Sequence, residues 1–138
     1  MYGISINKMS HKSKGINGER ELVHLFWANK WVALRIAGSG SSRYPSPDLL
    51  ASNSVRKLAI EVKITKEQYK HFPGEEISDL KEFSQKFGAE PWIAVKFKGN
   101  DWFFVSLEDL QQTTSNFSIS LELAKRRGLS FSELIKAI

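Results

Sequence analysis

The sequence predicts a mixed α/β domain in which a central mixed β-sheet is flanked by helices. Hydrophobic spacing shifts along the chain from a helical period to short β-branched runs, and later to a second helix and a hairpin. This order of helix, three strands, helix, strand pair and helix is typical of a mixed sheet covered by helices. The 138 residues, 41% of them hydrophobic, suit one buried core. We therefore expect a basic, mobile arm at residues 1–14 and a single domain at residues 15–138.

The first helix is predicted for residues 18–29, because Asn17 is a suitable N-cap and an apolar stripe follows it. That stripe consists of Leu22, Val23, Phe26 and Trp27. Strands are predicted at residues 31–37, 48–51 and 57–65, joined as an antiparallel meander. A Gly- and Ser-rich loop that ends in two prolines separates the first two strands. That loop is either an inert linker or a closure around a phosphodiester.

The second half of the chain alternates in the same way. Residues 66–75 are predicted to form a loop, and residues 76–87 a second helix that ends at Gly88. Strands at 91–98 and 101–105 flank Gly99-Asn100, a hairpin turn signal. One helical turn at 106–110, a short strand at 117–120, and helices at 121–127 and 130–138 complete the prediction.

Composition excludes several classes of protein. The chain has no cysteine, so disulfide scaffolds and thiolate metal sites are excluded, and its three scattered histidines form no zinc pattern. No apolar run approaches the roughly 20 residues that span a bilayer, and the N-terminus lacks a signal-peptide core. We therefore expect no membrane partner and a cytoplasmic location.

The net charge of +5 comes from the N-terminal third of the chain. Residues 1–47 carry seven Lys and Arg against two Glu, whereas the rest holds 13 basic and 13 acidic residues. Such a basic segment beside carboxylates favours a polyanionic partner; the alternative is a charge balance set only for solubility.

Two carboxylates and one ammonium group form the candidate site. Asp48 follows a proline at a turn, and Glu61 and Lys63 lie on one face of the strand at residues 57–65. They either form a surface ion pair or bind a divalent cation beside a phosphate. Glu19 shares the inward face of the first helix, where it either favours the helix dipole or reaches the same site.

The pattern resembles the archaeal Holliday junction resolvases, a branch of the restriction-endonuclease-like PD-(D/E)xK nucleases. The resemblance covers roughly residues 15–106 and lies in Glu19-Arg20-Glu21-Leu22, Arg35, Ala37-Gly38-Ser39, Pro47-Asp48, Glu61-Val62-Lys63, residues 83–88 and residues 93–97. It implies the nuclease fold, in which Asp48 and Glu61 bind Mg²⁺, with Mn²⁺ able to substitute, and Glu19 completes the acidic cluster. It also implies that Lys63 is catalytic and that Ser39 lies at the scissile phosphate. The basic residues expected to contact DNA are Lys12, Lys14, Arg20, Lys30, Arg35, Arg43 and Lys66.

One departure from the nuclease class lies in the second helix. Many relatives carry Gln early in it, whereas this sequence has Glu75-Glu76, so no residue of that helix is assigned to the site.

The resemblance implies Mg²⁺-dependent resolution of four-way DNA junctions in recombination and repair. Paired nicks in opposing strands require a homodimer, with interface candidates Phe83, Phe87, Trp92, Trp102 and Phe104. The alternatives are a nuclease of the same class acting on forks, flaps or duplex DNA, and a non-catalytic DNA-binding protein of the same fold.

Overall fold

A computed structural model describes residues 11–38 and 43–137. The elements in chain order are α1 (His11–Ala28), β1 (Val32–Arg35), β2 (Leu49–Ser52), β3 (Lys57–Thr65), β4 (Tyr69–Pro73), α2 (Gly74–Phe87), β5 (Glu90–Phe97), β6 (Phe103–Ser106), a 3₁₀ turn (Leu107–Asp109), β7 (Gln111–Thr113), β8 (Asn116–Ser120), α3 (Leu121–Arg127) and α4 (Phe131–Lys136). Among the described residues, no helix has both the length and the apolar character needed to cross a membrane.

The central sheet has five strands in the order β1-β2-β3-β5-β6. The predicted meander is confirmed, since β1 pairs antiparallel with β2 and β2 antiparallel with β3. β3 and β5 are parallel, and α2 lies in the connection between them, as a parallel crossover requires. The predicted hairpin is also confirmed, because β5 and β6 pair antiparallel.

Each face of this sheet carries its own apolar cluster. Leu22 and Phe26 of α1 pack with Leu134 of α4 against one face, and all three are fully buried. α2, α3 and the second sheet cover the other face, where Ile77 and Ile93 are buried. Trp27, predicted to belong to the apolar stripe of the first helix, is 56% exposed instead. Its indole Nε1 donates to the carbonyl of Ala33 at 2.9 Å, which keeps the ring at the surface.

The first helix begins earlier than predicted, at His11, so residues 11–14 of the expected arm are helical. Asn17 is therefore an internal helical residue and not a cap. Gly18, next to it, is buried, and a β-carbon there would lie 2.5 Å from Ile64 Cδ1. This close approach of helix to sheet is a tertiary contact that local capping signals do not report. Residues 1–10 of the expected arm lie outside the described residues.

The segment predicted as a loop at residues 66–75 contains a strand. β4 pairs antiparallel with β8, and β8 pairs antiparallel with β7, which gives a second sheet in the order β4-β8-β7. The partner strand lies more than forty positions away, so the local pattern gives little sign of it. The predicted short strand at 117–120 is confirmed as β8.

Candidate active site

The site lies where β3 extends beyond its neighbour β2. The backbone N–H of Asp48, just before β2, donates to the carbonyl of Ile60 at 3.1 Å. The carboxylate Oδ2 of Asp48 accepts from the backbone N–H of Val62 at 2.9 Å. The Asp48 carboxylate therefore accepts the hydrogen bond that backbone would accept if β2 extended further toward its N-terminal side. It lies beside Glu61. The predicted convergence of Asp48 and Glu61 is present in the structure.

Glu61 lies among other carboxylates in a largely buried position. Burial raises its pKa most, and the negative charges of Asp48 and Glu76 raise it further, to about 9, against the opposing charge of Lys63. A hydrogen bond with Asp48 acts in the same direction. This crowding of acidic oxygens is the electrostatic condition that a bound cation relieves.

Lys63 forms an ion pair with Glu76 of α2, the distance between Nζ and Oε1 being 2.6 Å. Burial disfavours the charged amine, but the hydrogen bond and charge of Glu76, with Glu61 and Asp48, outweigh it and raise the pKa of Lys63. Sequence reasoning missed Glu76. The signal was present in the acidic pair Glu75-Glu76 at the start of the helix, but nothing local shows which of the two faces the sheet.

Glu19 approaches from α1 and is held by Arg35 of β1. Arg35 Nε donates to Glu19 Oε1 at 2.7 Å, and the two side chains are 24% and 13% exposed. Burial is the main cause that raises the pKa of Glu19, and Asp48 adds to it, while Arg35 and Lys63 oppose the shift. The predicted inward orientation of Glu19 is thus present. Within residues 11–38 and 43–137, however, no three His, Asp or Glu side chains form a ready metal-binding group.

An open cleft of about 600 Å³ lies over this cluster. Asp48, Glu61 and Lys63 line it together with the loop residues Arg43 and Tyr44. The second half of the Gly/Ser-rich loop therefore reaches the site, as one of the two predictions for that loop requires. The predicted role of Ser39 lies outside the described residues.

The predicted DNA contacts are spread over several surfaces. Lys14 lies near Lys66 and Lys98: Lys66 is the main cause that lowers the pKa of Lys14, with desolvation and Lys98 adding to it. Arg20 is exposed on α1. Lys30 follows the last turn of α1 and does not line the cleft. The Lys12 side chain lies outside the described part of the chain.

Comparisons with known proteins identify relatives of this chain. A family profile described as "Archaeal holliday junction resolvase (hjc)" matches residues 10–138. A protein named crossover junction endodeoxyribonuclease Hjc from Archaeoglobus fulgidus is 39% identical over 129 residues, covering 88% of this chain and 95% of its own length. The protein of the same name from Sulfolobus acidocaldarius is 32% identical, with coverage of 94% and 92%.

A solved structure extends the likeness to the fold. The structure of Archaeoglobus fulgidus Hjc, "a Holliday junction resolvase from an archaeal hyperthermophile", matches with a TM-score of 0.80 and 37% sequence identity. The match covers 85% of this chain and 94% of that one. The predicted fold class, a mixed sheet flanked by helices in a nuclease fold, is confirmed.

Proposed function

The chain belongs to the archaeal Holliday junction resolvase family, and on that basis we propose that it is an endonuclease that resolves four-way DNA junctions. The observation that carries the proposal is the convergence of Asp48, Glu61 and Lys63 in one open cleft. Two acidic groups and an ammonium group, side by side, match the needs of phosphodiester hydrolysis, in which negative charge develops on the phosphoryl oxygens.

The donor set fits a hard divalent cation. Asp48 and Glu61 offer carboxylate oxygens, the ligands that Mg²⁺ prefers, and the raised pKa of Glu61 reflects negative charge that a cation would offset. We assign these two residues as the protein ligands of Mg²⁺, with Mn²⁺ able to take its place. When bound, the cation supplies Lewis-acid polarisation and a more acidic water. A ligand role for Glu19 stays a prediction, since its carboxylate is bonded to Arg35.

Basic side chains around the cleft are proposed to hold the substrate. Lys63 keeps its positive charge because its pKa is raised, so it can stabilise charge on the attacked phosphate. Arg43 lines the cleft. Arg35 does not line it, but forms an ion pair with Glu19 near the site. Recognition of a four-way junction then depends on phosphate positions and DNA shape, because such contacts carry no base sequence.

We propose that the working unit is a homodimer, since the described part of one chain provides one such cluster of Asp48, Glu61 and Lys63 and resolution needs two cuts. Two of the five predicted interface residues are excluded, because Trp102 and Phe104 are 2% and 0% exposed in the core. Trp92 packs against the α1-side cluster. Phe83 and Phe87, by contrast, stack on α2 with their ring centroids 5.2 Å apart; Phe83 is partly buried against the cluster beneath the helix, and Phe87 is exposed.

Cleavage of matched DNA substrates tests the function. Wild-type protein with Mg²⁺ should cut a four-way junction in preference to a fork, a flap and a duplex of the same sequence, and should cut none of them in EDTA. Lys63→Ala should lower the single-turnover rate by about a hundredfold or more, because it removes a charge at the reacting phosphate.

Junction binding is the control in the same experiment. Lys63→Ala and Asp48→Asn should bind the junction within a few fold of wild type, because most phosphate contacts lie elsewhere. If the protein cuts all four substrates equally, the proposed junction specificity is wrong and the protein is a general nuclease. Cutting that persists in EDTA would contradict the role of the cation.

A further inference from the structure

Lys63 and Glu61 lie two positions apart on one face of β3, yet the described structure does not pair them. The Lys63 ammonium contacts Glu76 of α2 instead, at 2.6 Å. Both side chains of this pair are about three-quarters buried, with exposures of 24% and 26%. A lysine side chain is long and flexible, so an ion pair of this kind fixes where its charge sits.

The position of Glu76 is set from outside the site. α2 begins at Gly74, whose backbone N–H donates to Asn116 Oδ1 at 3.3 Å. A β-carbon at Gly74 would overlap the carbonyl oxygen of Ser115, so only glycine lets the helix start this close to the turn between β7 and β8. The preceding residue, Pro73, pairs with Asn116 in the second sheet. The small sheet therefore anchors the first turn of α2, and with it Glu76.

We propose that Glu76 is a positioning residue that holds the Lys63 ammonium away from Glu61, which leaves the Glu61 carboxylate available to the cation. Besides Glu76, Glu61 and Asp48 are the carboxylates whose charges raise the pKa of Lys63, so the loss of Glu76 leaves these two for the ammonium to pair with. An ammonium group on those oxygens competes directly with a divalent cation. This inference rests on the proposed function, because it concerns the cation of that same site.

Binding of Mn²⁺ alone to the metal-free full-length protein, measured by calorimetry, tests the inference without DNA. Glu76→Ala should weaken Mn²⁺ binding about tenfold, because Lys63 then occupies Glu61. Glu76→Gln should stay within about threefold of wild type, since its amide oxygen still accepts from the ammonium. Glu75→Ala is the matched control: it removes an exposed charge from the same helical turn, and should also stay within about threefold.

The decisive comparison uses a Lys63→Ala background. If Glu76 acts through Lys63, Glu76→Ala should change Mn²⁺ affinity less than about threefold there, because the competing ammonium is gone. The same tenfold loss in that background, or equal losses in Glu75→Ala and Glu76→Ala, would overturn the inference and indicate a general charge effect. Melting temperatures of every variant show that the protein is folded.

The outcomes separate this inference from the proposed function. If the wild-type protein binds no Mn²⁺, both the proposed cation site and the role of Glu76 are contradicted. Wild-type protein that binds Mn²⁺, with Glu76→Ala binding it equally well, contradicts the positioning role of Glu76 alone. Junction cleavage by the wild type is scored separately and decides the enzyme activity.

Discussion

At the scale of single residues, Arg56 connects three separate parts of the fold away from the site. Its guanidinium donates to both carboxylate oxygens of Glu90, at 2.8 Å each. It also donates to the carbonyl oxygens of Leu134 and Ala137, at 2.6 and 2.8 Å. The side chain is 11% exposed. Arg56 thus connects the turn before β3 with the start of β5 and with residues 134–137.

The Arg56–Glu90 pair makes stability depend on pH. The hydrogen bond from Arg56 is the main cause that lowers the pKa of Glu90 below its ordinary value of 4.5. A lowered pKa in the folded state adds stability above the ordinary value, and that stability is lost as the pH falls through the folded-state pKa. Between pH 6 and pH 3, wild-type protein should therefore lose more unfolding free energy than Glu90→Gln.

Urea unfolding of both proteins at the two pH values measures this difference. Other carboxylates titrate in both proteins, so the comparison isolates Glu90. Identical losses in the two proteins would show that the pair adds nothing measurable.

Single residues of the site differ in how far the sequence predicts them. Asp48, Glu61 and Lys63 are predictable, because strand alternation and a short turn bring them together with little help from the rest of the fold. Glu76 is not, since its contact with Lys63 depends on where the small sheet anchors α2. The Arg56 contacts are equally hidden, because their partners lie 34 to 81 positions away.

At the scale of elements, the first turn of α2 depends on a glycine for its place. Gly74→Ala should destabilise the protein by about 1–3 kcal/mol, because the added methyl group meets backbone that cannot move aside cheaply. Gly15→Ala in α1 is the matched control, since a β-carbon there meets nothing within 4 Å. It should stabilise the protein by about 0.5–1 kcal/mol through helix propensity.

Thermal or urea unfolding gives the change in unfolding free energy for Gly74→Ala and Gly15→Ala relative to wild type. Both changes improve intrinsic helix propensity, so opposite signs report the contact with Ser115. A stabilising Gly74→Ala would show that the turn between β7 and β8 does not constrain α2.

Three lysines lie together: one near the start of α1 and one just after the end of each of β3 and β5. Lys66 and Lys98 lie side by side, because the backbone N–H of Lys98 donates to the carbonyl of Thr65 at 3.0 Å. Lys14 of α1 reaches the same place. Replacing all three by Ala should weaken junction binding and reduce the slope of log K against log salt by about 2–3, since each phosphate contact releases counterions.

Lys136→Ala is the control for these lysines. Lys136 is exposed on α4, which contacts Arg56 at the other end of β3 from Lys66. The control should leave the slope within about one unit of wild type. A triple variant with an unchanged slope would place the DNA elsewhere on the protein.

Elements predicted from local pattern alone were found where that pattern is strong. The meander, the β5–β6 hairpin and α2 have clear periodicity and turn signals, and all are present. β4 was missed because it exists through pairing with the distant β8. β7 was missed because its three residues are polar and exposed, so the local pattern gives no strand signal, although it forms a hairpin with the adjacent β8. The start of α1 was missed because Asn17 has the side chain of a good N-cap, yet the helix begins at His11 and runs through it.

At the scale of the whole molecule, an apolar surface remains on the α2 side of the sheet. It consists of Val32 and Leu34 on edge strand β1, together with Phe83 and Phe87 on α2. Val32 and Leu34 are each 51% exposed, and Phe87 is 46% exposed. Exposed apolar side chains on one face are typical of an interaction site, and we place the proposed dimer contact here.

Leu34→Glu should convert a dimer to a monomer, because it places a charge in a desolvated contact. On a supercoiled plasmid with a cruciform, the monomer should give nicked circles where the wild type gives linear product. Val55→Glu is the matched control, since Val55 is 87% exposed in the turn between β2 and β3. Sedimentation gives the assembly state; a wild type that stays monomeric with junction DNA present would contradict the dimer.

The hydrogen bond from Val62 to Asp48 makes one acid of the site part of the sheet. Asp48 is therefore part of the architecture as well as of the proposed chemistry, whereas Glu61 is a largely buried acid crowded by other carboxylates. Two substitutions that we expect to silence the enzyme equally should thus differ in their effect on folding. In any descendant that gave up cutting DNA, selection for folding alone would retain the aspartate long after the glutamate had drifted to an apolar residue.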